Sequence, residues 1–383
     1  MTETADVVIV GGGAVGCSAA FHLAAAGAGD VLLLERAGAV GTGSTGACAG
    51  GFRFQFSSRI NIELSQASVP MIVGFSERHD LPLDVVQDGY LFLIRDDAVR
   101  ERFATAAAMQ RALGVDTRLV SAEKAAGIAP GISLEGVVAA SYNPQDGIAD
   151  PAGLTQGYAT LAARAGARLR MGAEVTGIAV EGGRVTGVRT PSGVVSTGAV
   201  VNAAGPWAAS LASSAGVELP LESIPRMVVT TGPFPGVPTR RTLVIDAASS
   251  FYFHREGAGV LMGMGGVDER PSFSLQVDER FVADDLLPMA IRVFPPLEAA
   301  GIAASWAGLY EMTPDRHPIL GSTPVDGFWL ANGFSGHGFQ HAPVAGLLLA
   351  EMIVDGAART VDVSSLGLDR FALGNLVAEA HVV

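Results

Sequence analysis

The sequence predicts an α/β chain in which a parallel-sheet domain is interleaved with a smaller, β-rich α+β domain. Three observations predict it. A strand, a glycine-rich turn, a helix and a second strand follow one another over residues 7–35. Residues 224–309 carry short strand patterns with a single helical stretch among them. Buried-strand patterns of the opening type then return in the middle and near the end, so neither domain is continuous. The expected division assigns 1–50, 145–215 and 305–383 to the first domain, and 51–144 and 216–304 to the second.

Taken in order, Val7 to Val10 is an apolar run, Ala14 to Ala26 has helix-forming composition, and Val31 to Glu35 is again apolar. That succession makes parallel sheet. Gln66 to Arg78 and Ala98 to Leu113 read as helices, with a strand at Gly89 to Ile94. Asp150-Pro151 is a helix start, an N-cap followed by proline at the first helical position, and the helix should reach about Ala165. Strands are expected at Glu174 to Val180, Arg184 to Thr190 and Val194 to Ser196. Gly182-Gly183 and Ser192-Gly193 between them are hairpin turn signals. Ala199 to Asn202 is a buried strand, Asp278 to Val293 a helix, and Phe328 to Ala331 a last strand before an apolar helix from Ala342.

Bulk properties bound the function. The 383 residues allow about two domains. No apolar run reaches the roughly 18 to 20 residues of a membrane span. The opening residues go straight into a strand, and two cysteines make no disulfide framework, so the cytoplasm is the expected compartment. A net charge of −13 argues against a nucleic-acid partner, because phosphate surfaces bind clustered cations. No pair of histidines has metal-ligand spacing with acids or thiols, so no metal is expected. Lysine occurs once, at Lys124.

Gly11-Gly12-Gly13-Ala14-Val15-Gly16 fits G-x-G-x-x-G, directly after a strand and at the start of a helix. Gly11 turns the chain tightly, Gly13 admits a pyrophosphate to the backbone, and Gly16 lets helix and strand approach. The helix N-terminus offers free N–H groups and a positive dipole end to phosphate. Glu35, beside Arg36, closes the second strand about 20 residues on, where a carboxylate accepts from ribose hydroxyls. This unit is Rossmann-type, and alone it fits FAD and NAD equally.

Three further motifs carry a resemblance. They are Gly43-Ser44-Thr45-Gly46-Ala47-Cys48 through Arg53, Asn202-Ala203-Ala204-Gly205-Pro206-Trp207, and Thr313-Pro314-Asp315-Arg316-His317-Pro318 ahead of Asn332-Gly333-Phe334-Ser335-Gly336-His337-Gly338-Phe339. In this order the chain resembles the D-amino-acid oxidase superfamily of FAD-dependent amine oxidoreductases. The branch it looks most like holds sarcosine oxidase, dimethylglycine dehydrogenase and the proline dehydrogenase β subunit. The resemblance implies a Rossmann-type FAD-binding domain with FAD held at the domain interface. It places Ser44 and Thr45 at the diphosphate, Val175 at the adenine, and Ala204, Gly205 and Trp207 along the cofactor's middle. Gly333, Phe334, Ser335, Gly336, His337, Gly338 and Phe339 would follow the pyrimidine edge of the flavin, where a helix N-terminus stabilises negative charge.

Departures from the family pattern narrow the expectation. The lysine that activates oxygen in sarcosine-type oxidases corresponds here to Leu261, and a substrate-binding lysine corresponds to Gln340. The arginine that D-amino-acid and glycine oxidases place before Thr313 is Tyr310. Arg53 then remains as the expected carboxylate anchor, since a guanidinium grips a carboxylate through a two-pronged fork. Tyr252 and His254 alternate on a strand and are expected pocket residues, with plain core as the other reading. His337 reads as a group packed on the cofactor or as a base. Covalent attachment through Cys48 is the alternative to the expected non-covalent FAD.

The expected activity is oxidation of the C–N bond of a secondary or N-substituted amino acid, sarcosine- or proline-like, by a dehydrogenase rather than an oxidase. Two alternatives stay open: a biosynthetic oxidase of a bulkier amine, and a flavin-bearing subunit or assembly factor with little turnover. A small-molecule amine is the expected partner, with an electron-acceptor protein or partner subunit besides.

Overall fold

The computed structural model describes residues 3–266 and 269–381. At its centre lies a six-stranded sheet in the order Arg168–Arg170, Val31–Leu34, Val7–Val10, Ala199–Asn202, Phe328–Asn332, Ile319–Ser322. All neighbours are parallel except the last pair. The inner strands are apolar up to the asparagines that end two of them, because both faces are covered. Val7, Ile9, Val31, Leu33 and Val201 pack against the helices Ala14–Ala25, Pro151–Arg164 and Gly338–Ala350. Val8, Val10, Leu32, Leu34 and Val200 point the other way, onto the hairpin strands Gly177–Glu181, Arg184–Thr190 and Gly193–Ser196 and the helix Ala208–Ser213. Each such fully buried Val or Leu contributes about 1.5–3 kcal/mol. The central helices touch through polar atoms as well: the Ser18 hydroxyl donates to the Pro343 carbonyl at 3.2 Å.

A second sheet has eight strands, in the order Ile302–Met312, Glu222–Thr231, Gly259–Met264, Tyr252–Glu256, Leu243–Asp246, Tyr90–Ile94, Ala139–Asn143, Arg118–Val120. Residue alternation gives it two unlike faces. Val229, Met262, Phe253, Val244, Leu91 and Leu93 form a core with the helical stretch 279–293. Arg226, Val228, Tyr252, Gly308 and Tyr310 lie on the opposite face, which turns toward the first sheet. The fold is thus the expected one, a Rossmann-type unit with a β-rich second domain.

Four boundaries differ from the sequence expectation. The helix expected over 66–78 starts at Arg59, after Ser58, and breaks at Gly74 into Arg59–Val73 and Phe75–His79. The last long helix begins at Gly338 rather than Ala342. Pro343 lies in its first turns, and the Ser68 hydroxyl donates to the neighbouring Gln340 carbonyl at 2.6 Å. Arg168–Arg170 adds an edge strand that its charges concealed, held by Glu3 and Asp30. Finally, the strand Ile302–Met312 pairs along its length with Glu222–Thr231, so the boundary expected at 305 falls inside the second sheet.

Candidate functional site

The strand Val7–Val10 ends on Gly11, whose φ of +111° lies where side-chain-bearing residues are strained. A Cβ there would stand 2.3 Å from the Ala203 carbonyl oxygen, and one at Gly16 would stand 1.9 Å from the Gly11 carbonyl. The turn therefore brings the helix Ala14–Ala25 hard against the strand end. Its N-cap, Gly13, offers no capping side chain, and Ala14 N–H donates to Thr45 Oγ1 at 3.2 Å. The helix end faces a cavity of about 610 Å³. That size lies within the roughly 300–1,000 Å³ range of cofactor sites.

Most residues expected to bind the cofactor line this cavity: Gly11, Gly13, Ala14, Val15, Glu35, Arg36, Ser44, Thr45, Val175, Ala204, Gly205, Trp207, Phe334, Gly336, Gly338 and Phe339. Gly16 and Gly333 do not; the first spaces the helix, and the second is backed by Thr313 and Leu221. Ser335 and His337 line a smaller neighbouring cavity. The Glu35 carboxylate accepts from Gly12 N–H at 2.6 Å and from Ala37 N–H at 2.7 Å, which fixes it at the rim. The Arg36 guanidinium stacks 3.5 Å over the Trp207 ring, closing one end. An extended dinucleotide fits such a site: phosphates at the helix N-terminus, ribose at Glu35 and an aromatic ring system at the far end.

Glu311 was not expected from the sequence. It lines the cavity beside Gly205, and its Oε2 has no hydrogen-bond partner among the described residues. Burial pushes its carboxyl up to about 7, partly offset by the N–H groups of Gly333 and Phe334. An orphaned acid aimed into a cavity is what a bound polar group would satisfy.

The smaller cavity, about 80 Å³, adjoins the first at its second-domain end. Cys48, Ala49, Tyr252, Tyr310, Gly336 and Phe339 line both. Gly50, Gly51, Arg53, Tyr90, Leu243, Ile245, Ser335, His337 and Gln340 complete it. Tyr252 lies on the wall the two cavities share. Burial raises the Tyr252, Tyr310 and Tyr90 hydroxyls, so all three remain protonated near neutral pH. His337 is buried, meets the Phe56 ring edge to face at 5.0 Å, and has no partner at either ring nitrogen among the described residues. Desolvation, then His341 and Arg53, hold it well below the ordinary histidine range, so it is neutral.

Three expected site residues are occupied otherwise. The Arg53 guanidinium donates to the backbone carbonyls of Gln55 and His381 and lies 4.0 Å over the Phe56 ring. Two of its five N–H donors are thereby taken by neutral carbonyls rather than by an anion. Gln340 is bonded to the Arg53 backbone, to Ser65 and to His341. The His254 ring lies between the carbonyls of Arg255 at 2.8 Å and Ala49 at 3.2 Å, and it lines neither cavity. It braces the wall behind Tyr252. Leu261, its cross-strand partner, is buried with it, and Lys124 is exposed on the short helix Ala122–Ile128.

The sequence reading also missed Arg226. It lies on the site face of the strand Glu222–Thr231, opposite Gly308, and lines the larger cavity. An arginine amid Ile-Pro-Arg-Met-Val-Val was the available signal, since a cation inside an apolar strand needs a partner. Cys48 lines both cavities, and burial pushes its thiol up to about 11. Cys17 is interior packing, its thiol directed at the Gly12 carbonyl at 3.5 Å. Among the described residues no cluster of three metal-ligating side chains occurs, and no helix is long and apolar enough to cross a membrane.

Comparison with known proteins agrees with this geometry. Mitochondrial sarcosine dehydrogenase of Mus musculus is 30% identical over 97% of the chain, which spans 42% of that longer protein. The chain thus covers less than half of that relative. FAD-dependent oxidoreductase domain-containing protein 1 of Xenopus laevis is 31% identical over all of the chain and 85% of its own length. The crystal structure of L-proline dehydrogenase from P. horikoshii superposes with a TM-score of 0.91, at 34% identity, covering 98% of this chain and 100% of that one. The family described as FAD dependent oxidoreductase, DAO, matches residues 6–352, and the chain belongs to it.

Proposed function

We propose that this protein is a dehydrogenase that oxidises the C–N bond of a small secondary or N-substituted amino acid, of the sarcosine or proline kind. The observation that carries the reading is the cavity of about 80 Å³ sharing six wall residues with the cofactor cavity. Its volume suits a substrate of few heavy atoms and disfavours a bulkier amine. FAD, when bound in the larger cavity, supplies a two-electron acceptor for a hydride.

The chain's own contribution is positioning and desolvation. Tyr90, Tyr252 and Tyr310 wall the small cavity with apolar rings and neutral hydroxyls that can orient an amine. His337, neutral and unpartnered, can accept a hydrogen bond from a substrate N–H without adding charge. The substrate amine must be unprotonated, so that its lone pair forms the C=N bond as hydride leaves the adjacent carbon. Water then hydrolyses the imine unless it is cyclic. Gly338–Ala350 directs its N-terminus at this region, which favours negative charge gathering on the cofactor's edge. FAD is held without a covalent bond, since burial keeps the Cys48 thiol protonated.

The test is anaerobic mixing of the protein with sarcosine, L-proline, dimethylglycine, glycine and the corresponding decarboxylated amines, followed by the flavin absorbance. Bleaching by a secondary amino acid but not by its decarboxylated partner is expected. Equal bleaching by amines without a carboxylate would overturn the substrate class.

A further inference from the structure

We propose that Arg226, rather than Arg53, holds the substrate carboxylate; this deepens the reading above and rests on it. Five observations converge. Arg226 lines the larger cavity and not the small one, on the same sheet face as Tyr252 and Tyr310, the two tyrosines that wall both. Its guanidinium lies 4.9 Å over the Tyr310 ring, so it borders that shared wall. It is 9% exposed, and its Nε has no partner among the described residues. Its Nη1 is bonded to Glu269, leaving the Nε side of the fork as the edge a ligand could use. Arg53, by contrast, already serves two carbonyls.

A buried guanidinium with an open donor is costly unless something pairs with it. A planar carboxylate meets that need through a two-pronged contact. Glu269 keeps the empty site near neutrality, and the Gly266 N–H, donating to Glu269 at 2.8 Å, holds that acid in place. An arriving carboxylate therefore competes with Glu269 for one guanidinium. Removing the acid should strengthen substrate binding, and removing the arginine should weaken it.

The experiment uses FAD-loaded protein and two non-oxidisable probes of one shape, pyrrole-2-carboxylate and pyrrole-2-carboxamide, titrated against the flavin absorbance. The wild type is expected to prefer the carboxylate. Arg226→Gln should weaken it tenfold or more while leaving the amide within twofold, Arg226→Lys should restore part of the loss, and Glu269→Gln should tighten the carboxylate several-fold. Flavin retention by each variant shows that the fold has survived. Unchanged carboxylate affinity in Arg226→Gln, or a carboxylate-selective loss in Arg53→Gln alone, would overturn this assignment and leave the amino-acid reading intact. A wild type with no preference between the probes would instead remove the amino-acid reading itself.

Discussion

Gln340 clamps the backbone of Arg53 in both directions, its Oε1 accepting from the Arg53 N–H at 3.0 Å and its Nε2 donating to the Arg53 carbonyl at 3.1 Å. A side-chain amide thereby acts as a one-residue strand, joining the helix Gly338–Ala350 to the loop that bounds the small cavity. Ser65 and His341 complete its contacts at 3.0 and 3.1 Å. Gln340, which stands where the resemblance places a substrate-binding lysine, both lines the small cavity and ties its wall together.

Gln340→Ala should therefore lower stability rather than substrate affinity alone. It strands the Arg53 N–H and carbonyl in a buried site, and each unsatisfied group costs about 1–3 kcal/mol. A urea midpoint shift equivalent to about 2–4 kcal/mol is expected. A variant as stable as wild type would mean that the loop is held elsewhere.

How much of this was legible in sequence depends on whether a residue's task is local. Gly11, Glu35 and the Asp150 cap could be read because each belongs to a short motif: a glycine turn after a strand, an acid closing the next strand, and a cap ahead of proline. Pairings set by distant segments were not visible. Arg53 meets the His381 carbonyl 328 residues away. The same remoteness hid Glu379, which accepts from the Ser57 and Ser58 backbone N–H groups at 2.8 and 3.0 Å and ties the C-terminal segment to that loop. Arg226 needed the sheet register to show which face it occupies.

Acid should unfold the protein through its buried histidines. Burial holds His341 at about 3 and His381 and His22 at about 4, against an ordinary value near 6.5. For a histidine depressed in the folded state, the unfolded chain takes up the proton first. The stability is therefore present above about pH 6.5 and is lost as pH falls toward 4. Each such histidine should steepen the loss by about 1.4 kcal/mol per pH unit in that window. Urea midpoints at pH 7, 6 and 5 check this, and His341→Gln should flatten the dependence. A midpoint constant across that range would mean these rings are solvated.

The purified protein should be yellow, and acid precipitation should leave free FAD in the supernatant. Cys48 is the thiol lining both cavities, and burial keeps it protonated and weakly nucleophilic. Colour that stays with the pellet would make the attachment covalent. Cys48→Ser would then show whether this thiol is responsible.

The reaction with oxygen tests how charge is distributed around the cofactor cavity. A cation beside the flavin speeds that reaction by stabilising superoxide as it forms, an electrostatic effect on a charge absent from the starting state. Leu261 and the exposed Lys124 supply no such cation, burial lowers the pKa of His254 and His337, and the Arg53 guanidinium of the small cavity is turned to the Gln55 and His381 carbonyls. Arg226 is a cation on the cavity wall that the sequence motifs did not reveal, but it is paired with Glu269. A paired charge projects a weaker field than a free one. Slow reoxidation in air-saturated buffer, and faster reoxidation by a quinone or dye, are therefore expected in stopped flow after anaerobic reduction. Glu269→Gln should quicken the oxygen reaction by about tenfold, since a gain near 1.4 kcal/mol is within reach of one unpaired charge. Dye reduction should change little, because a dye needs no nearby cation. Fast reoxidation of the wild type would remove the dehydrogenase reading, and its loss in Arg226→Gln would identify that arginine as the group that replaces the lysine.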